Sequence, residues 1–219
     1  VPIQVDKDHM ENLIPFENWL RSYNPSELFD SEGRLLEDIK SIIPKGDKRL
    51  SSNPNSNGGK LLKELDLPNF EDYMINFDTP GTVIKQDMLE AGKHIGDVLD
   101  KNRDNFKLFC PDEALSNRLN HIFDKNRREF NAEILDTDEY LNTSGNIIDS
   151  YLSENACEGM LEGYLLTGRH GIFVSYEAFV RVVDSMVSQH AKCIKMSKEL
   201  PWRKDISSLN LLLTSHLWQ

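Results

Sequence analysis

The stretch that decides the fold is 153–176, whose sequence is Ser-Glu-Asn-Ala-Cys-Glu-Gly-Met-Leu-Glu-Gly-Tyr-Leu-Leu-Thr-Gly-Arg-His-Gly-Ile-Phe-Val-Ser-Tyr. Its first serine is a good N-cap, and apolar residues then recur at helical spacing, which predicts a helix that ends at Gly168. Residues 172–174 are short, apolar and β-favouring, which predicts a buried strand. We expect a second helix to follow directly from Tyr176, with Ser175 as its cap.

Short apolar segments alternate with helical ones beyond residue 80. The pattern predicts helices at 82–102, from 114 to 123 and at 176–196, strands at 106–110, 130–135 and 207–215, and an irregular acidic connection at 136–152. This alternation is typical of a parallel sheet covered on both faces, so the predicted class is α/β, a doubly wound, mostly parallel sheet. Residues 1–80 are weakly periodic and predict an irregular, partly helical arm, with helical patches at about 10–20 and 33–42.

The composition argues against several classes of function. The 219 residues carry a net charge of -11, whereas nucleic acids and anionic membrane surfaces attract basic proteins. No run approaches the roughly 18 apolar residues of a membrane span, and no signal peptide is visible. Cys110, Cys157 and Cys193 are odd in number and widely spaced, which is typical of reduced thiols, so we expect a cytoplasmic protein.

Two residues of the central stretch are polar or aromatic where ligands bind in such folds. Glu154 shares a helical face with Cys157 and Leu161, so its carboxylate is exposed at the helix end, paired, or used in chemistry. The alternative is an acid that only complements the helix dipole. Tyr176 follows a buried strand, at the edge where open parallel sheets bind ligands, although an aromatic there also caps a core.

A second group lies on the predicted turn after residue 110. Glu113, Ser116 and Arg118 precede or begin a predicted helix, where backbone amides, a hydroxyl and a guanidinium form a phosphate cradle. The alternative is a capped helix start with surface charges. The histidines His170, His190 and His216 do not have the spacing of a local metal site, so no metal is predicted here.

The segment 162–171, Glu-Gly-Tyr-Leu-Leu-Thr-Gly-Arg-His-Gly, resembles the phosphoketolases, which are thiamine-diphosphate enzymes that split sugar phosphates with inorganic phosphate. Further motifs in the family's order cover nearly the whole chain: Asn53-Pro54-Asn55, Asn57-Gly58-Gly59, Pro111-Asp112-Glu113, Ser116-Asn117-Arg118, Asp184-Ser185-Met186, Gln189-His190-Ala191-Lys192, Pro201-Trp202-Arg203-Lys204 and Leu212-Leu213-Thr214-Ser215-His216. The resemblance implies an excised central piece, with an inter-domain connector at 1–80 and a pyrimidine-binding domain at 81–219, truncated at both ends.

The resemblance also implies roles for the candidate residues. Glu154 would be the catalytic acid that hydrogen-bonds the aminopyrimidine of thiamine diphosphate. The family's usual next residue is His and here it is Asn155, so the register rests on the neighbouring motifs, and Glu158 and Glu162 compete for the role. Tyr176 would contact the pyrimidine, and we expect His170 on the cofactor side.

The same resemblance assigns the substrate residues and the partners. Ser116 and Arg118 would hold the sugar phosphate, and Glu113 would line the substrate channel. The chain has no Gly-Asp-Gly motif with a later Asn, so the cofactor's diphosphate and its Mg²⁺ would bind to a separate domain of the same or a second subunit. A homo-oligomer is therefore expected, and the isolated piece would be inactive.

The resemblance implies one activity, and two other readings stay open. The parent enzyme would be an aldehyde-lyase that cleaves xylulose 5-phosphate or fructose 6-phosphate, or both, with phosphate to give acetyl phosphate and an aldose phosphate. The alternatives are a non-catalytic interaction or regulatory domain that kept the fold, and another thiamine enzyme of the transketolase type.

Overall fold

The computed structural model of the chain describes residues 3–56 and 61–214 and divides into two compact units, Val1–Arg49 and Leu50–Gln219. Parts of two sequence motifs, 57–59 and 215–216, lie outside the described residues. The second compact unit begins at Leu50, so 61–80 is described with the sheet. The division into a connector at 1–80 and a pyrimidine-binding domain at 81–219 stays a prediction.

The first unit is a small helical arm. It contains helix α1 (Leu13–Arg21) and the single-turn helix α2 (Glu37–Ser41), as the helical patches predict, and an isolated antiparallel bridge joins Phe29 to Leu35. Within 3–49 no residue is buried, and even Trp19 is half exposed. The arm therefore has no hydrophobic core of its own among the described residues.

The second unit is built on a six-stranded sheet in which every pair of neighbouring strands is parallel. The strands in chain order are β1 (Phe106–Cys110), β2 (Arg128–Glu129), β3 (Leu141–Asn142), β4 (Ile147–Asp149), β5 (His170–Tyr176) and β6 (Asn210–Thr214). Their spatial order is β3-β2-β4-β1-β5-β6. The predicted α/β class with a parallel sheet is confirmed.

Helices cover both faces of the sheet, because successive side chains of each strand point to opposite sides. Leu108 of β1 joins one buried cluster, which includes helix α3 (Asp87–Lys101) and a short 3-10 helix, Asn120–Asp124. Phe109 joins the other cluster, which includes helices α4 (Glu154–Leu166) and α5 (Val180–Ser197). The chain therefore has one continuous sheet with a separate core on each face.

Residues 61–73 pack against the sheet unit, although the sequence places them in the connector. The side-chain nitrogen of Asn102 donates to the backbone carbonyl of Asp66 at 2.9 Å, and the side-chain oxygen of Asn102 accepts from the backbone amide of Asp66 at 2.9 Å. The Tyr73 hydroxyl donates to Asp97 on α3 at 2.5 Å. These contacts fix this segment along α3.

Several predicted elements are confirmed, and others are wrong in a systematic way. Strand β1 has the predicted bounds, and α4 ends just before Gly168, whose φ of +94° is the left-handed conformation that glycine adopts readily. The predicted strand at 130–135 is wrong, since the strand is β2, and the connection at 136–152 contains β3 and β4. Strands of two or three residues are too short to show a period in the sequence.

The predicted helix start at 114 is also wrong, since residues 114–118 form turns and the 3-10 helix Asn120–Asp124 follows. Helical structure does follow directly from Tyr176, as a 3-10 helix, Glu177–Phe179, that leads into α5 at Val180. Ser175 is not its cap, because Ser175 lies inside β5, which continues to Tyr176. The predicted strand at 172–174 is shorter than β5, because Ser and Tyr occur both at the ends of strands and at the starts of helices.

Helix α4 lies very close to β5 at one glycine. A β-carbon built on Gly171 would lie 2.5 Å from Leu161 Cδ1 of α4 and 3.0 Å from the Lys107 carbonyl oxygen of β1. Gly171 is buried, so the helix has little room to move away. This contact sets the distance between the sheet and the helix that begins with Glu154.

We expect Gly171→Ala to destabilise the chain by about 1–3 kcal/mol, because the added methyl group overpacks the α4–β5 contact. Gly163→Ala is the matched control, since a β-carbon there meets no atom within 4 Å and alanine favours the helix. Urea unfolding of both variants measures the difference. Equal stability of the two variants would show that α4 is not held at this distance.

Candidate active site at the carboxyl edge of the sheet

The direction of strand connection changes between β1 and β5. Strands β2, β3 and β4 follow β1 in the chain and lie on one side of it, whereas β6 follows β5 and lies on the other side. In open parallel sheets the carboxyl ends at such a point form the crevice in which ligands bind. If the candidate residues that follow β1, β4 and β5 form one site, they should therefore lie together in this crevice.

Glu113 is a buried carboxylate of this crevice, with 4% of its surface exposed. Its Oε2 accepts hydrogen bonds from Ser175 Oγ at 3.2 Å and from the Tyr176 amide at 3.3 Å. Burial raises the pKa of Glu113, and the charge of Glu154 adds to the rise, whereas these hydrogen bonds lower it. The contact ties the turn after β1 to the last two residues of β5.

Asn117 fixes the same turn to the end of β6. It is 2% exposed, and its side-chain nitrogen donates to the Glu113 carbonyl at 2.7 Å. Its side-chain oxygen accepts from the hydroxyl of Thr214, the last residue of β6. The turn is therefore held at both ends by buried side chains.

Ser116 and Arg118 lie on this turn and are exposed. Ser116 Oγ donates to the Glu113 carbonyl at 3.1 Å, and Arg118 has a φ of +63°, a left-handed conformation that costs a non-glycine residue about 1–2 kcal/mol. Asp112 is held in the same way, with a φ of +58°. The fold thus accepts local strain to keep this hydroxyl and this guanidinium on a fixed backbone at the crevice.

Glu154 is the first residue of α4, which follows the end of β4 at Asp149. It is half-buried, so it is not a fully solvated helix-end acid. Its charge contributes to raising the pKa of both Glu113 and the buried Cys157 thiol.

Tyr176 ends β5 next to Glu113. The residue is half-buried, and its ring lies 5.8 Å from the ring of Phe179 in an edge-to-face arrangement with an interplanar angle of 69°. The structure therefore brings five of the six predicted site residues to the carboxyl edge of the sheet: Glu113, Ser116, Arg118, Glu154 and Tyr176.

His170 is not part of this group. It is the first residue of β5, about 20 Å along the strand from Tyr176 at 3.3 Å per residue. Its amide donates to the Asn105 carbonyl at 2.8 Å, and its Nε2 donates to the Lys63 carbonyl at 2.7 Å. The histidine links residue 63 to the amino edge of the sheet.

The crevice contains one acid that the sequence analysis missed. Asp149 ends β4 opposite Cys110 of β1, with 1% of its side chain exposed, and its Oδ2 pairs with Arg128 Nε at 2.6 Å. Its Oδ1 has no hydrogen-bond partner in the described residues. Burial raises the pKa of Asp149 despite the arginine. The sequence shows Asp149 only as one acid in an acidic stretch, so no signal distinguishes it before the strand register is known.

The described ranges contain no group of three His, Cys, Asp or Glu side chains that could hold a metal ion. The same ranges contain no helix with the length and apolarity of a bilayer span. The site is thus a set of carboxylates, one aromatic ring, a hydroxyl and a guanidinium at the edge of a parallel sheet.

The chain matches a family model over most of this sheet unit. The model described as D-xylulose 5-phosphate/D-fructose 6-phosphate phosphoketolase matches residues 89–219, and the model of the XFP N-terminal domain matches residues 1–61. The chain belongs to the phosphoketolase family. Among its relatives, a probable phosphoketolase of Clostridium acetobutylicum is 54% identical over 222 residues.

Other relatives agree with this assignment. The xylulose-5-phosphate phosphoketolase of Lactiplantibacillus pentosus is 49% identical over 220 residues, and a probable phosphoketolase of Nitrosospira multiformis is 49% identical over 214 residues. The alignments cover 100% of this chain for the Clostridium and Lactiplantibacillus proteins and 97% for the Nitrosospira protein. The chain spans 26–28% of the length of these three relatives.

We expect Glu113→Ala to destabilise the chain by about 1–3 kcal/mol, because it leaves the Ser175 hydroxyl and the Tyr176 amide without their acceptor in a buried place. Glu177→Ala removes an exposed glutamate from the same region and should change stability by less than about 0.5 kcal/mol. Urea unfolding at pH 7 compares the two. If both variants unfold at the same urea concentration as the unmodified chain, Glu113 does not hold the end of β5.

Proposed function

We propose that the chain is the pyrimidine-binding part of a thiamine-diphosphate-dependent phosphoketolase, an aldehyde-lyase. The enzyme would cleave xylulose 5-phosphate or fructose 6-phosphate, or both, with inorganic phosphate to give acetyl phosphate and an aldose phosphate. The family membership supports the reaction class. The observation that carries the assignment to this site is the half-buried Glu154 at the sheet's carboxyl edge, close to the buried Glu113.

The residues at the carboxyl edge fit an aminopyrimidine ring. Such a ring needs an acid in a partly dry place, to share a proton with a ring nitrogen, and an apolar surface against its flat face. Glu154 is half-buried and Tyr176 is half-buried beside Phe179, so both requirements have a candidate. His170 has no part in this proposal, because it lies at the opposite edge of the sheet.

In this proposal each side chain of the site has one task. Glu154 would share a proton with a nitrogen of the aminopyrimidine ring, and Tyr176 would offer its ring as an apolar surface for the pyrimidine. Thiamine diphosphate, when bound, supplies the nucleophilic carbon that adds to the ketose carbonyl and accepts the electron pair when the carbon–carbon bond breaks. Glu113 acts indirectly, by fixing the backbone of Tyr176 and the turn that follows β1.

Ser116 and Arg118 are proposed to hold the phosphate of the sugar. Both side chains are exposed on a turn whose backbone is fixed by buried residues, and a guanidinium binds phosphate oxygens through two parallel hydrogen bonds. In a chain of net charge -11, a phosphorylated substrate needs such a local cation to approach. The substrate would therefore lie across the carboxyl ends of β1 and β5.

The remaining partners are proposed to come from outside this chain. The described residues offer no metal site, so the cofactor's diphosphate and Mg²⁺ would bind to a separate domain of the same or a second subunit, in a homo-oligomer. The chain alone would then be inactive. Cys110, Cys157 and Cys193 are free thiols, which suits a reducing compartment such as the cytoplasm.

We expect Glu154→Gln in the full-length enzyme to lower kcat by about 100-fold or more, because an amide cannot exchange a proton with the ring nitrogen. Glu199→Gln serves as the control, since Glu199 is an exposed acid just past the end of α5 and outside the proposed site. Calorimetric titration with thiamine diphosphate separates a loss of chemistry from a loss of binding. Activity of Glu154→Gln within a few-fold of the unmodified enzyme would refute the assignment.

A further inference from the structure

Helix α4 carries three glutamates spaced one turn apart, Glu154, Glu158 and Glu162, which therefore share one side of the helix. Glu158 is fully buried, with 0% exposure, and neither of its carboxyl oxygens has a hydrogen-bond partner among the described residues. Glu162 Oε1 is also buried and has no hydrogen-bond partner among the described residues. The Glu162 side chain is 22% exposed, so it can carry a charge at lower cost than the enclosed Glu158, whose ionised form next to a second carboxylate would be very unfavourable.

Among the described residues, no Lys, Arg or His forms an ion pair with Glu158. The sheet faces α4 with apolar side chains such as Phe109 and Phe173, and α5 contributes valines to the same cluster. On α5, His190 Nδ1 lies 3.7 Å from Glu162 Oε2. On β1, Lys107 is already paired with Glu129.

We propose that Glu158 and Glu162 share one proton inside the α4–α5 interface, and that neutral Glu158 is a positioning residue for Glu154. In this arrangement the protonated Glu158 carboxyl group donates to the Glu162 carboxylate, and His190 faces the charged partner from α5. Glu158 is already 0% exposed in this one chain, so its burial does not depend on another subunit. The second half of the proposal rests on the proposed function of Glu154.

The protonation of Glu158 makes the interface sensitive to pH. Burial, followed by the neighbouring Glu162, raises the pKa of Glu158 from 4.5 to about 8. The folded chain therefore keeps a proton that the unfolded chain releases above about pH 4.5, so this contribution to stability is complete below pH 4.5 and is lost as the pH rises through about 8. Above that pH a second negative charge develops one helical turn from Glu154.

The first test measures thermal unfolding of the full-length protein without cofactor, from pH 6 to pH 9. Glu158→Gln keeps the shape and a hydrogen-bond donor but cannot ionise, so its Tm should fall less over this range than that of the unmodified protein, by a few degrees. The exposed Glu177→Gln should follow the unmodified protein. Parallel curves for all three proteins would overturn the shared proton, whatever the enzyme's activity.

A second variant covers the case in which Glu158→Gln does not fold. Glu162→Gln removes the neighbouring charge but leaves Glu158 able to titrate. Its fall in Tm with pH should then be weaker than in the unmodified protein and end at a lower pH, because Glu162 no longer raises the pKa of Glu158. A fall identical to that of the unmodified protein would overturn the pairing of the two glutamates.

The second test concerns the positioning role. The ratio of kcat at pH 9 to kcat at pH 7 should be larger in Glu158→Gln than in the unmodified enzyme, because the extra charge near Glu154 no longer develops. If the Tm curves differ as expected and the kcat ratios are equal, Glu158 stabilises the interface but does not position Glu154. If Glu154→Gln retains activity, the proposed function fails while the result on Tm stands.

Discussion

The carboxyl edge of the sheet depends on one buried carboxylate. Glu113 loses hydration in the crevice between β1 and β5, and hydrogen bonds from Ser175 and the Tyr176 amide offset that loss. Because Glu113 and these partners are 62 and 63 residues apart, the contact joins the turn after β1 to the end of β5 through side-chain hydrogen bonds. The position of Tyr176 and the shape of the turn at 111–118 both follow from this interaction.

Helix α4 connects that edge to the interior of the domain. Its first residue, Glu154, is half-buried at the crevice, and one turn later Glu158 is fully buried, with 0% exposure. The close approach at Gly171 fixes how far the helix lies from β5. The same low-dielectric surroundings that favour a neutral Glu158 also strengthen the electrostatic interactions of Glu154, so packing and chemistry are linked along this one helix.

Local periodicity predicted the elements that are long or strongly apolar, such as β1 and the helix that ends before Gly168. It could not predict β2, β3 and β4, which have two or three residues each, nor the extension of β5 to Tyr176, where helix and strand signals are equal. Asp149 and the buried role of Glu113 depend on strand register and on contacts far apart in sequence. The resemblance to the phosphoketolases named Glu154 and Tyr176 as candidates, but only the fold could separate them from His170 at the opposite edge.

Hydrogen exchange of the full-length protein, measured by mass spectrometry with and without thiamine diphosphate, tests the central claim most directly. If the carboxyl edge binds the pyrimidine, the cofactor should slow exchange of the backbone amides at 112–118, at the start of α4 and at 175–177. Unchanged exchange in all three segments, with protection in this chain confined to the amino edge around His170, would contradict the account.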